Sequence, residues 1–83
     1  MSRSSFREKE RLQWQCRRGM LELDCLLRRF LDEQYELLSE ELQARFRRLL
    51  READPHIYQW LLTAPEEVPE QYVELIRAIR AET

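Results

Sequence analysis

One short run holds most of the residues able to do chemistry: Trp14-Gln15-Cys16-Arg17-Arg18-Gly19-Met20-Leu21-Glu22-Leu23-Asp24. It combines two adjacent guanidinium groups, two carboxylates two residues apart and the only glycine of the chain, with Arg11 just upstream. Guanidinium groups give planar, bidentate hydrogen bonds, and a backbone without a Cβ lets another chain come into contact. That is the chemistry of protein docking rather than of bond making. The same residues also have a purely structural reading, an interhelical turn at Gly19 with Arg18 paired to Glu22 in the first turn of the next helix. Glycine inside a helix costs about 1 kcal/mol relative to alanine. Gly19 therefore marks a place where the backbone turns or where another backbone comes close, and both readings stay open.

Catalytic sets are hard to assemble elsewhere. His56 is the only histidine, in the first turn of a short helix, where a surface or packing role is expected. Carboxylates alternate with arginines in helix-surface patterns, and no pair is forced together in apolar surroundings. The serines lie near the amino terminus or at a helix cap, away from any base. A single glycine rules out a Gly-x-Gly-x-x-Gly turn or a P-loop. Two cysteines and one histidine are too few for a zinc site. Nucleic acid is not an expected partner either: arginine pairs stand at 17/18, 28/29 and 47/48, but the sequence pI is about 5.5 and acids flank the basic stretches.

Charge is unevenly placed. Residues 1–18 carry six basic side chains against Glu8 and Glu10, a balance of +4, which leaves −6 for the rest of a chain whose net charge is −2. A basic head can steer toward an acidic partner surface, or it can simply be a solvated amino terminus. The start is charged and has no apolar h-region, and apolar runs are only two or three residues long. A cytoplasmic protein with two reduced cysteines packed as small apolar side chains, no leader and no membrane span is therefore expected.

The elements that must position the Trp14–Asp24 run are helical. Eighty-three residues are read as one domain, 1–83, and such a domain buries only about 60–65% of its unfolded surface. β-branched residues are scarce and alternation is absent. A short first helix is predicted from about Ser5 to about Gln15 on a thin stripe of Phe6, Leu12 and Trp14. The second, beginning near Met20, has Leu23, Leu26, Leu27, Phe30 and Leu31 on one face, with Asp24/Arg28 and Arg29/Glu33 as outer i,i+4 pairs. Ser39 reads as the N-cap of a third helix carrying Leu42, Phe46, Leu49, Leu50 and Ala53, with Arg45, Arg47, Arg48 and Arg51 outside. Asp54 and Pro55 read as the cap and first residue of a short fourth helix that turns Ile57, Trp60 and Leu61 inward. Residues 63–68 read as a loop, and a fifth helix starts at Pro69 with Tyr72, Leu75, Ile76 and Ile79 buried. Short connections place consecutive helices side by side, so the fold class is all-α, a small compact bundle of about five helices.

The run Trp14-x-Cys16-Arg17-Arg18-Gly19-Met20-x-Glu22-Leu23-Asp24 resembles the signature of the small succinate dehydrogenase assembly factors, the flavinylation factors of bacteria and their mitochondrial counterpart. Arg18, Gly19 and Glu22 match their Arg-Gly-x-x-Glu. Leu49-Leu50, Asp54-Pro55 and Trp60-Leu61 match later family positions, so the similarity covers nearly the whole chain. The resemblance implies a five-helix bundle. It implies a non-enzymatic, chaperone-like factor that binds the flavoprotein subunit of succinate dehydrogenase, and in bacteria that of fumarate reductase, and promotes covalent attachment of FAD to that subunit. FAD is then attached to the partner, with none stably bound by this chain, and a monomer is expected. The partner-binding residues would be Arg11, Trp14, Arg17, Arg18, Gly19, Met20, Glu22 and Asp24. The alternative is a protein-binding regulator of antitoxin type with no role in flavinylation.

Overall fold

The computed structural model describes the backbone of residues 3–81 and the side chains of residues 7–81; Phe6 of the predicted first stripe lies outside the described side chains. Among the described residues the chain forms five α-helices and no strand: α1 (Arg3–Gln15), α2 (Leu21–Gln34), α3 (Glu40–Leu49), α4 (Asp54–Tyr58) and α5 (Val73–Arg80). Short 3-10 turns at Tyr35–Leu37, Pro65–Glu67 and Glu70–Tyr72 join them, and α4 runs on into a widened π turn, Gln59–Thr63.

The centre of the molecule is the apolar face of α2. Leu23, Leu26, Leu27, Phe30 and Leu31 are all buried, as their spacing predicts. α1 and α5 pack on α2, and α5 also contacts α3. Phe46 of α3 is fully buried, with its ring 5.5 Å from Phe30 and 5.7 Å from Tyr35. Tyr72, Leu75, Ile76 and Ile79 close the core from the carboxyl-terminal side. Trp60 meets Tyr72 at 5.7 Å and stacks on His56 at the same centroid distance, so the histidine is an exposed residue laid against the Trp60 ring.

Among the described residues α1 buries Leu12 and, just past its end, Cys16. Polar ties also hold it. The Tyr35 hydroxyl donates to Glu8 at 2.6 Å and accepts from Arg47 of α3 at 2.8 Å, and Lys9 pairs with Glu36 at 3.2 Å. Burial, and next the hydrogen bond to Glu8, push the Tyr35 hydroxyl above its ordinary pKa, so it stays a donor.

Several local expectations are corrected. Trp14 is 67% exposed rather than part of the α1 stripe. Leu12 and Cys16, one helical turn apart, define the inner face, and a residue two positions from each points the other way. Cys25 is exposed, whereas Cys16 is buried as expected. α3 is capped by Ser39, whose hydroxyl accepts from the Leu42 N–H at 3.2 Å, but the helix ends at Leu49 and Ala53 is exposed. Asp54 is not the N-cap of α4. Ala53 takes that place without a side-chain bond, and Asp54 is the first helical residue, its carboxylate engaged from another part of the chain. Arg28 pairs with Asp32 at 3.9 Å rather than with Asp24. Residues 65–67 form a 3-10 turn rather than an irregular loop, and Pro69 opens a 3-10 turn that leads into α5.

Candidate functional site

α1 closes with the Cys16 and Arg17 N–H groups donating to the Leu12 and Trp14 carbonyls, at 3.0 and 3.1 Å. Gly19 then adopts φ +78°, the left-handed region that side chains disfavour, and Met20 returns to extended backbone at the cap of α2. The turn reading of Gly19 is therefore correct. Among the described residues nothing beyond its chain neighbours approaches the glycine: a Cβ built there meets no atom within 4 Å. Its bareness serves the backbone angle, and the space beside it is open to solvent.

The Arg18 N–H would be an unpaired donor at this corner. Asp24, one turn into α2, reaches back and accepts from it at 2.7 Å. Arg18 itself turns inward, with only 14% of its side chain exposed. Its Nη1 donates to Asp54 of α4 at 3.0 Å, and its Nη2 donates to the Leu50 carbonyl at the end of α3. The expected local pair with Glu22 is not formed. Arg18 instead ties the α1–α2 corner to the α3–α4 corner, which explains why an Asp-Pro start and an Arg-Gly turn belong together in this sequence.

The eight predicted residues thus separate into two groups. Arg18 and Asp24 are engaged internally, and Met20 packs half-buried against the core. Arg11, Trp14, Arg17, Gly19 and Glu22 are exposed. The Arg17 guanidinium lies 4.8 Å from the centre of the Trp14 ring, a cation–π contact that orders both side chains at the surface. Neither Arg11 nor Glu22 makes a side-chain ion pair or hydrogen bond among the described residues. Leu21, beside the glycine, is 81% exposed.

Two grooves flank Arg17. One, of about 440 Å³, runs past Gly19, Leu21, Asp24 and Cys25. The other, of about 450 Å³, lies between the corner and the end of α3. Cys16 at the back of the first groove is no nucleophile, because burial pushes its thiol up to about 12. Among the described residues no three His, Cys, Asp or Glu side chains gather as metal ligands, and no helix is long and apolar enough to cross a membrane.

Sequence reasoning missed Leu21, Asp54 and the Leu50 carbonyl as parts of this corner. An exposed leucine one residue before Glu22 was a readable signal. The Asp54 contact spans 36 residues and had none.

Known proteins resemble this chain over most of its length. Residues 10–83 match the family model described as "Flavinator of succinate dehydrogenase". The chain is 45% identical over 76 residues to the FAD assembly factor SdhE of Idiomarina loihiensis, covering 92% of this chain and 84% of that one. It is 45% identical over 74 residues to the protein of the same name from Legionella pneumophila, covering 89% and 92%, and 39% identical over 71 residues to that from Coxiella burnetii, covering 86% and 87%. No solved structure matches the chain significantly. With a family match over almost its whole length, and with Arg18, Gly19 and Glu22 set at one ordered helix–helix corner, this chain belongs to the succinate dehydrogenase flavinator family.

Proposed function

We propose that this protein is an assembly factor that docks on the flavoprotein subunit of succinate dehydrogenase and promotes covalent attachment of FAD to it. The names of its relatives and family support the client and the reaction. The observation that carries the docking mode is the exposed left-handed glycine with open space beside it, edged by Trp14, Arg17 and Glu22. Arg11 and Arg17 offer donors to acidic groups or carbonyls of the subunit, and Glu22 accepts from its N–H groups. Arg18, Met20 and Asp24 contribute by holding the corner in shape.

The attachment chemistry belongs to the flavoprotein and its flavin. This chain acts by binding the attachment-competent conformation more tightly than the others, which shifts the population toward it. It works as a cytoplasmic monomer without holding FAD itself, and the flavoprotein of fumarate reductase is a second client. A factor that must leave its product binds with moderate affinity.

Co-expression of the flavoprotein subunit with this protein, read by in-gel flavin fluorescence, tests the reading. Gly19→Ala and Gly19→Arg share the same backbone penalty, but only arginine fills the open space. Gly19→Arg and Glu22→Ala are expected to lose flavinylation while keeping helical circular dichroism, and Gly19→Ala to retain much of it. Full flavinylation by folded Gly19→Arg and Glu22→Ala variants would refute docking at this corner.

A further inference from the structure

The groove between the α1–α2 corner and the end of α3 is lined by Gln15, Arg17, Arg18, Leu50, Arg51 and Asp54. Three guanidinium groups face a single carboxylate there. That carboxylate, Asp54, is already matched by Arg18 at 3.0 Å. Arg17 has only the Trp14 ring, and the exposed Arg51 side chain makes no ion pair or hydrogen bond among the described residues. Arg18 adds one buried donor, Nε, which has no acceptor among the described residues. The groove therefore carries two uncompensated positive charges.

The position of Arg51 is set by the fold. Its N–H donates to the Arg48 carbonyl at 3.0 Å in the turn that ends α3, and its neighbour Leu50 supplies the carbonyl that Arg18 binds. The groove is also continuous with the docking corner, because Arg17 lines both it and the groove beside Gly19. A partner that covers the corner therefore lies beside this groove.

We infer that this groove receives an acidic side chain, Asp or Glu, of the docked flavoprotein subunit, with Arg51 and Arg17 as its charged clamp. The inference rests on the proposed function and extends the contact surface from the first two helices to the end of the third. A carboxylate fits because planar guanidinium groups bind it bidentately, and neither Arg17 nor Arg51 gives a side-chain hydrogen bond to another described residue. Continuity with the docking corner makes the subunit its source.

The test uses the full chain and the purified flavoprotein subunit. Arg51→Glu is expected to weaken binding about tenfold or more at low ionic strength, and Arg51→Gln less. Both differences should shrink at about 1 M salt, where the Debye length is about 3 Å. Thermal melting should not change, because Arg51 is exposed and unpaired. The chain has a single lysine, Lys9, so few carbodiimide cross-links can start from a lysine of this chain. An Arg51→Lys variant should form a new amide cross-link from position 51 to an Asp or Glu of the subunit, located by mass spectrometry. Unchanged affinity of Arg51→Glu for a subunit that the wild-type chain binds and helps to flavinylate would overturn this inference and leave the proposed function standing. Loss of affinity for free FAD in Arg51→Glu, with subunit affinity intact, would equally overturn it. No wild-type binding at all would remove both readings.

Discussion

Replacing Arg18 by alanine separates a strut from a docking residue. Two interactions are lost. The charge-assisted bond from Nη2 to the Leu50 carbonyl is worth about 1.5–3 kcal/mol. The Asp54 pair at 3.0 Å involves a carboxylate with 40% of its side chain exposed, so solvent screening holds it to about 0.5–1 kcal/mol. Against these, the substitution removes the buried Nε donor that has no acceptor, a relief of about 1 kcal/mol. The net destabilisation is about 2 kcal/mol, which for a domain of this size lowers the melting temperature by about 8–16 °C. Thermal melts followed by circular dichroism, with urea unfolding alongside, measure it. Asp54→Asn should reproduce only the smaller share, because Arg18 keeps its bond to Leu50. A folded Arg18→Ala variant that melts with the wild type yet fails to promote flavinylation would refute the strut and return Arg18 to direct partner contact.

Gly19→Ala should cost about 1–2 kcal/mol from its positive φ alone, and Gly19→Arg the same, since a Cβ there meets no described atom within 4 Å; unequal melts would show a contact made by the longer side chain. Phe46→Ala empties the centre of the ring cluster and should cost about 3–5 kcal/mol, enough to leave much of so small a domain unfolded in dilute urea. Iodoacetamide at about pH 8 should label exposed Cys25 and spare buried Cys16 until denaturant is added; two adducts on the native protein, counted by mass spectrometry, would contradict the packing. In the native state burial raises Cys16 from 9.0 to about 12, and burial with the Glu52 hydrogen bond raises Tyr72 from 10.0 to about 12. Both favour the protonated form, so their stabilisation is complete below about pH 9, is lost as pH rises toward about 12, and should appear as a falling melting temperature across that window.

The sequence by itself determined the elements and most of the core. Leucine and aromatic spacing along α2, α3 and α5 specified which face is buried, because a residue's place on a helix follows from short-range periodicity alone. Ser39 marked the start of α3 for the same reason: a cap is satisfied within one turn. The lone glycine and its charged neighbours located the corner. Only the tertiary structure decided how that corner is used. Trp14 faces outward because Leu12 and Cys16, two positions to either side of it, turn inward. Arg18 finds Asp54 and Leu50 rather than Glu22, since packing brings the end of α3 within reach of its inward-turned side chain, while Glu22 stays outside. Several acids near in sequence were equally eligible partners for that guanidinium, and an ion pair across 36 residues depends on where helices pack, which periodicity does not encode. For the same reason the sequence pointed to eight docking residues, whereas the fold exposes Arg11, Trp14, Arg17, Gly19 and Glu22 and engages Arg18 and Asp24 in holding them there.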